Sequence, residues 1–313
     1  MPHPPFDPLI SAALVAVNAA LPASVTPGLI GRLRELTAAR PGPDLAGHPV
    51  DVMETQVGEV PLLVLRPAGA DPAVPLPGLY FLHGGGLMAG SNRTGLDWVL
   101  EWMAAVPMVV VSAGYRLAPE HPHPTPVEDG YAGLRWVGDH LGELGIDPDR
   151  LVVAGGSAGG GLAAATALLA RDRGGPALRG QLLVCPMLDD RAATPSSTEL
   201  VGEGVWDRIS NATAWSALLG DAAGGEGVSP YAAPSRAIDL SGLPEAFVEV
   251  GAVETYRDEA VAYASRLWQA GGQAELHVWP GACHGFDEIV PDAPMSREAR
   301  ASRVNWLRRL LTG

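Results

Sequence analysis

The sequence predicts an α/β architecture, a mostly parallel central sheet flanked by helices. Three observations carry this. The apolar run Leu151-Val152-Val153-Ala154 meets Gly155-Gly156-Ser157-Ala158-Gly159 and passes at once into a small-residue helical pattern, Leu162 to Ala170. Other short apolar runs alternate with helical stretches along the chain, the signature of β-α-β units. Near the C-terminus one such step leaves an acidic residue after one strand and a histidine after the next.

The first of these is read as strand, tight turn, helix. Glycines two residues to either side of Ser157 allow close backbone approach, so the turn fits a nucleophile elbow, with the serine hydroxyl raised above the sheet. Ser157 then precedes a helix, where the N–H of Ala158 and the positive helix end can face a developing oxyanion. Taken alone, the same residues also fit an ordinary glycine-rich turn or a phosphate-binding loop.

Bulk properties narrow the field. The chain has 313 residues, 47% of them hydrophobic, enough for one large α/β domain or two smaller ones. The net charge of −14, from 21 Lys+Arg against 35 Asp+Glu, disfavours nucleic-acid binding, which requires a basic face. Two cysteines, Cys185 and Cys283, lie among apolar neighbours in the chain and away from metal-ligand spacing, so both are expected to be reduced, with no metal bound. The run Leu9 to Val17 lacks a preceding Lys or Arg and is too short to span a bilayer. The cytoplasm is the expected compartment, without stable membrane insertion.

From the N-terminus, Asp7-Pro8 and Pro27 each open a helical stretch, the second with Leu29, Ile30, Leu33 and Leu36 on one face, and Arg40-Pro41-Gly42-Pro43 stops it. Residues 1–45 have no core of their own and are expected to cover another part of the molecule; a disordered tail is the alternative. Strands follow at Val60 to Leu65, Leu79 to Leu82 and Met108 to Ala113. The second runs into His83-Gly84-Gly85-Gly86, where N–H groups can converge on one point without interference from Cβ atoms. Tyr115 to Pro126 carries four prolines, with Arg116, Glu120 and His121 able to pair locally, and reads as a rigid support. A helix is expected from about Val127 to His140, after which Asp147-Pro148 turns the chain into the elbow strand.

Beyond the elbow, Gly180 to Cys185 is a further strand ended by Pro186. Asp189 to Gly227 differs in composition, with two short helical patterns holding Trp206, Trp215, Leu218 and Leu219. An insertion here can lie over the core, and Trp206, Trp215 and Leu218 either contact substrate or hold the insertion together. The expected core is 46–188 and 228–313, with 1–45 and 189–227 lying outside it. Ala246 to Gly251 is a strand, Arg257 to Ala270 an amphipathic helix, Ala274 to Trp279 a strand, and Pro280 to Phe286 a loop. Neighbouring parallel strands end on one side of a sheet, so an acid after the first and His284 after the second come to lie beside Ser157.

His83-Gly84-Gly85-Gly86, Tyr115-Arg116-Leu117-Ala118-Pro119-Glu120-His121-Pro122, the Gly-x-Ser-x-Gly elbow and Gly281-x-x-His284-Gly285-Phe286 together resemble the hormone-sensitive-lipase family of esterases, from about residue 50 to the C-terminus. The resemblance implies an α/β-hydrolase fold under a helical cap, here residues 1–45 and 189–227, a Ser-His-acid triad and cofactor-free hydrolysis of short-chain carboxylic esters. It also implies Gly85, Gly86 and Ala158 as the oxyanion donors. Two departures stand out. The family's acidic motif Asp-Pro-Leu-Arg-Asp-Glu appears as Glu254-Thr255-Tyr256-Arg257-Asp258-Glu259, so the triad acid is expected to be Glu254, with an extra methylene to accommodate. Gly156 replaces the Asp or Thr more usual before the serine.

The expected activity is that of a serine carboxylesterase acting on short- to medium-chain esters: Ser157 attacks, His284 moves the proton, Glu254 orients His284, and water releases an acyl-enzyme. An amidase or lactonase would use the same site. A non-catalytic small-molecule binding protein of this fold is the reading from another class. Oligomeric state is left open between monomer and homodimer. Activity is expected to fall below about pH 6 to 7, because His284 must be neutral to act as base.

Overall fold

A computed structural model describes residues 3–20, 24–40 and 42–312. The apolar runs become eight strands: β1 (Val50–Val57), β2 (Val60–Pro67), β3 (Leu76–Leu82), β4 (Val109–Ala113), β5 (Ile146–Gly156), β6 (Gly180–Val184), β7 (Glu245–Gly251) and β8 (Ala274–Trp279). They form one sheet in the order β1-β2-β4-β3-β5-β6-β7-β8. The first two ladders, β1 with β2 and β2 with β4, are antiparallel, and every ladder from β4 to β8 is parallel. All residues of β4 and β6, and Leu151 to Gly156 of β5, are buried, as helices on both faces require.

Those helices are α1 (Pro8–Ala20), α2 (Ile30–Ala38), α3 (Leu96–Ala105), α4 (Thr125–Asp139), α5 (Leu141–Leu144), α6 (Ala158–Arg173), α7 (Ser196–Glu199), α8 (Arg208–Leu219), α9 (Arg257–Gln269), α10 (Phe286–Ile289) and α11 (Pro294–Thr312). Among the described residues no helix is long and apolar enough to cross a membrane. Both α3 and α11 went unread in the sequence. In α11 the face that packs inward carries the charged Arg303 between Ala299 and Trp306, which breaks the apolar stripe. Helix α4 starts at Thr125 instead of Val127, with Pro126 in its first turn, where a missing N–H costs nothing. Asp147-Pro148 lies inside β5 and not ahead of it: the β3 to β5 register shifts between Leu76 and Gly78, and Asp147 to Arg150 fill that irregularity.

The N-terminal segment packs in two places. Ile10 and Leu14 of α1 form a small apolar cluster with Ala282, Cys283 and Phe286, separate from the main core, and the Asp7 N–H donates to Gly281 O at 2.9 Å. Arg34 of α2 donates to Met88 O at 2.7 Å and Ala118 O at 2.9 Å and pairs with Glu120 at 2.6 Å. Between the two helices, Ser24 donates to Asp207 at 2.6 Å and the Val25 N–H to Ser210 Oγ at 2.8 Å, at the start of α8. The N-terminal segment and the insertion are thus hydrogen-bonded to each other.

Candidate active site

The parallel strands bring five chain segments to one edge: the loop after β3, the elbow after β5, Cys185 after β6, the acidic turn after β7 and the histidine loop after β8. At the elbow Ser157 has φ +57° and ψ −125°, a backbone state that costs about 1 to 3 kcal/mol and is held by its surroundings. The Ser157 N–H donates to Val184 O at 2.8 Å, and Ser157 O accepts from the Met187 N–H at 3.0 Å. The flanking glycines are sterically required, since a Cβ on Gly159 would fall 2.1 Å from Leu82 O.

Ser157 Oγ lies 2.9 Å from His284 Nε2, and His284 Nδ1 lies 3.0 Å from Glu254 Oε1. Glu254 is 1% exposed, and its second oxygen accepts from the Gly251 N–H at 2.8 Å. The longer side chain is accommodated by folding back over its own turn, which is tied to the histidine loop by Val253 N–H to Ala282 O at 2.9 Å. Asp258, four residues on, is engaged elsewhere: it accepts from the Ser196 N–H and from Arg257, each at 2.8 Å. Its partner is the start of α7 and not the free N–H groups of its own helix.

Burial opposes the charged form of His284, but Cys185 and Glu254 beside the ring outweigh it and raise its pKa well above the usual imidazole value. A base must be neutral to accept a proton, so raising the pKa moves the acid limb of activity upward in pH. The midpoint of that limb in kcat/KM is expected above the free-imidazole value of about 6.5, and lower in Glu254→Gln. A wild-type midpoint at or below that value contradicts the electrostatic reading.

The glycine loop abuts the elbow. A Cβ on Gly84 would lie 3.4 Å from Ser157 Cβ, and one on Gly86 would meet the Trp206 ring at 2.5 Å. Among the described residues no turn or loop hydrogen bond uses the N–H of Gly85, Gly86 or Ala158. His83 holds the loop: its ring stacks on Tyr115 at 4.2 Å, its carbonyl accepts from Tyr115 Oη at 2.6 Å, and burial pushes its pKa down to about 4. The proline-rich segment therefore braces the loop, but not through local pairing. Arg116 pairs with Asp129 of α4 at 2.7 Å and Glu59 at 2.6 Å, and Glu120 reaches Arg34.

Trp206 sits 6.5 Å from the His284 ring, while Trp215 and Leu218 line a narrow cleft with Ala158, Leu87, Leu162 and Met187. All three candidate contact residues are thus near the serine but in two places. Trp206 also ties the insertion to the acidic turn after β7, as its carbonyl accepts from Thr255 Oγ1 at 2.9 Å.

Several residues at the site were not read from the sequence. The space a side chain at Gly156 would enter is filled by Trp98 of α3, 2.5 Å from the ideal Cβ position, which accounts for the glycine before the serine. Arg303 of α11 stacks on Trp98 at 5.0 Å and is ion-paired to Glu249 and Asp287, pinning the histidine loop to β7. A glutamate inside the otherwise apolar strand Ala246 to Gly251 was the available signal, since buried charges occur with partners. Cys185 and Cys283 are both free and buried. Cys185 is apolar only in its chain neighbours: across the fold it borders His284 and Glu254.

A family model described as the alpha/beta hydrolase fold matches residues 79–288. Carboxylesterase NlhH of Mycobacterium tuberculosis is 39% identical over 238 residues, 75% of this chain and 74% of that protein. Esterase LipI of the same species is 33% identical over 314 residues, covering 99% and 97%. Among solved structures, a bacterial heroin esterase superposes with a TM-score of 0.89 at 37% identity, covering 98% of each chain.

Proposed function

On the premise that the chain belongs to the hormone-sensitive-lipase-like family of the α/β-hydrolase fold, we propose that Ser157, His284 and Glu254 are the catalytic triad of this serine carboxylesterase. The observation that carries the assignment is the unbroken chain from Ser157 Oγ through both His284 nitrogens to Glu254 Oε1, at 2.9 and 3.0 Å. In this reading Ser157 Oγ attacks the ester carbonyl carbon as its proton passes to His284 Nε2. The Nδ1–H donates to Glu254, which fixes the tautomer and stabilises the imidazolium. Negative charge on the former carbonyl oxygen is met by the N–H groups of Gly85, Gly86 and Ala158, the last at the positive end of α6. Collapse expels the alcohol with the proton from His284, and water, activated by the same histidine, releases the acid.

Residues 1–45 and 189–227 form the proposed cap, supported by the hydrogen bonds that join Ser24 and Val25 to Asp207 and Ser210. With Trp215 and Leu218 closing the cleft beside Ala158, the acyl group is expected to be short. A panel of p-nitrophenyl esters and matching anilides tests both points. Ester kcat/KM should exceed anilide kcat/KM at every length and fall for acyl chains beyond roughly eight carbons, which a closed pocket of a few hundred Å³ cannot hold. Faster anilide cleavage would make the protein an amidase first, and efficient hydrolysis of long-chain triglyceride would place the cap elsewhere.

A further inference from the structure

We propose that Cys185, Glu254 and His284 form an inhibitory site for a thiophilic divalent cation such as Zn²⁺, overlapping the catalytic triad. One ligand atom from each residue, a thiol sulfur, a carboxylate oxygen and an imidazole nitrogen, lies within 4.8 Å of the other two. Bonds of 2.0 to 2.3 Å place tetrahedral zinc ligands roughly 3.5 Å apart, so small side-chain shifts close the set. The three residues come from three strand ends, after β6, β7 and β8, and are held by backbone contacts: the Cys185 N–H donates to Glu249 O at 2.7 Å, and Ala252 N–H to Trp279 O at 2.8 Å.

The donor set selects the metal. Sulfur, imidazole and a single carboxylate suit zinc and its heavier congeners, whereas magnesium and calcium require an oxygen cage. Glu254 is prepared for the role, since Oε2 is already held by the Gly251 N–H, while Oε1, which now faces His284 Nδ1 at 3.0 Å, turns to the ion when that hydrogen bond is given up. Cys185 is 5% exposed and the His284 side chain 11%, so the sulfur and the ring are nearly, but not wholly, shut off from solvent. On binding, the sulfur–metal bond replaces the thiol S–H and the proton leaves to solvent.

Inhibition follows from the ring nitrogen the ion takes. Glu254 Oε1 faces Nδ1, so an ion shared with Glu254 binds there. The ring proton then moves to Nε2, which can no longer accept the serine proton. This consequence rests on the triad reading, but occupancy of the site does not.

The test titrates Zn²⁺ against ester hydrolysis and, separately, follows the ultraviolet thiolate-to-metal charge-transfer band on adding Cd²⁺. Cys185→Ser and Cys185→Ala are expected to raise the half-inhibitory Zn²⁺ concentration at least about tenfold, since losing even an outer partner of a metal ligand costs 10- to 100-fold in affinity. Chelator should restore wild-type activity. The Cd²⁺ band should appear in wild type, Ser157→Ala and Cys283→Ala and be absent from both Cys185 variants. Equal Zn²⁺ sensitivity in wild type and both Cys185 variants, or a band that survives in them, overturns the proposal. A Cys185-dependent band without inhibition supports the site and counts instead against the catalytic roles of Glu254 and His284.

Discussion

Ser157→Ala is expected to lower kcat on a short-chain p-nitrophenyl ester by at least about 10⁴-fold, because the variant keeps the binding surface and oxyanion donors but has no nucleophile. The fold should be unchanged. The substitution removes one oxygen, and alanine adopts the strained φ of +57° about as well as serine does, while the backbone bonds to Val184 and Met187 that hold the elbow are untouched. Far-ultraviolet circular dichroism and the melting temperature should match wild type, and an active-site titrant should find no reactive groups. A variant that keeps the wild-type rate would remove Ser157 from the mechanism and reopen the phosphate-loop reading of the glycine turn.

Glu254→Gln is expected to lose at least about a hundredfold in kcat with KM little changed, as neutralising the corresponding acid of a serine protease costs about 10⁴. Glutamine can still accept from the Gly251 N–H, so the turn after β7 is retained. What is lost is the charge opposite His284 Nδ1, 3.0 Å away, and with it the preference for the tautomer that leaves Nε2 free to take the serine proton. Asp258→Asn provides the contrast. Its carboxylate joins the Ser196 N–H of the insertion to Arg257, so its loss should reduce stability by about 1 to 3 kcal/mol and leave kcat within a few fold. Thermal unfolding and steady-state kinetics on the two variants separate the roles; the opposite ranking would move the acid to Asp258.

The site was legible in the sequence wherever its chemistry depends on local backbone geometry. Gly155 and Gly159 around Ser157, and Gly84 to Gly86 after an apolar strand, are short-range requirements of a tight turn and of close backbone approach, so they are written within a few residues. That an acid and His284 come to the Ser157 end of the sheet was legible too, because parallel strands end on one side, while the choice of Glu254 came from the resemblance to the family's acidic motif. The supports were not. Trp98 beside Gly156 belongs to α3, whose apolar spacing Leu96, Val99, Leu100, Met103 was present but gave no sign of which part of the sheet it meets, and Arg303, joining Glu249 to Asp287, interrupts the apolar face of α11. The local pairing read for Arg116 and Glu120 also gave way, since Asp129, Glu59 and Arg34 are distant in the chain but near in the fold.

By itself, then, the sequence determined the strand order of events around the elbow, the identity of the nucleophile and base candidates, and the residue type at each glycine, because sterics and hydrophobic periodicity act over a few neighbouring residues. Only the tertiary structure decided how Glu254 accommodates its extra methylene, what fills the space beside Gly156, and that Cys185 stands next to His284 and Glu254. Each of these depends on side chains from different strands and helices meeting across the sheet edge. Such meetings are set by packing volume and by the need to pair buried polar groups, and neither leaves a periodic trace in the chain.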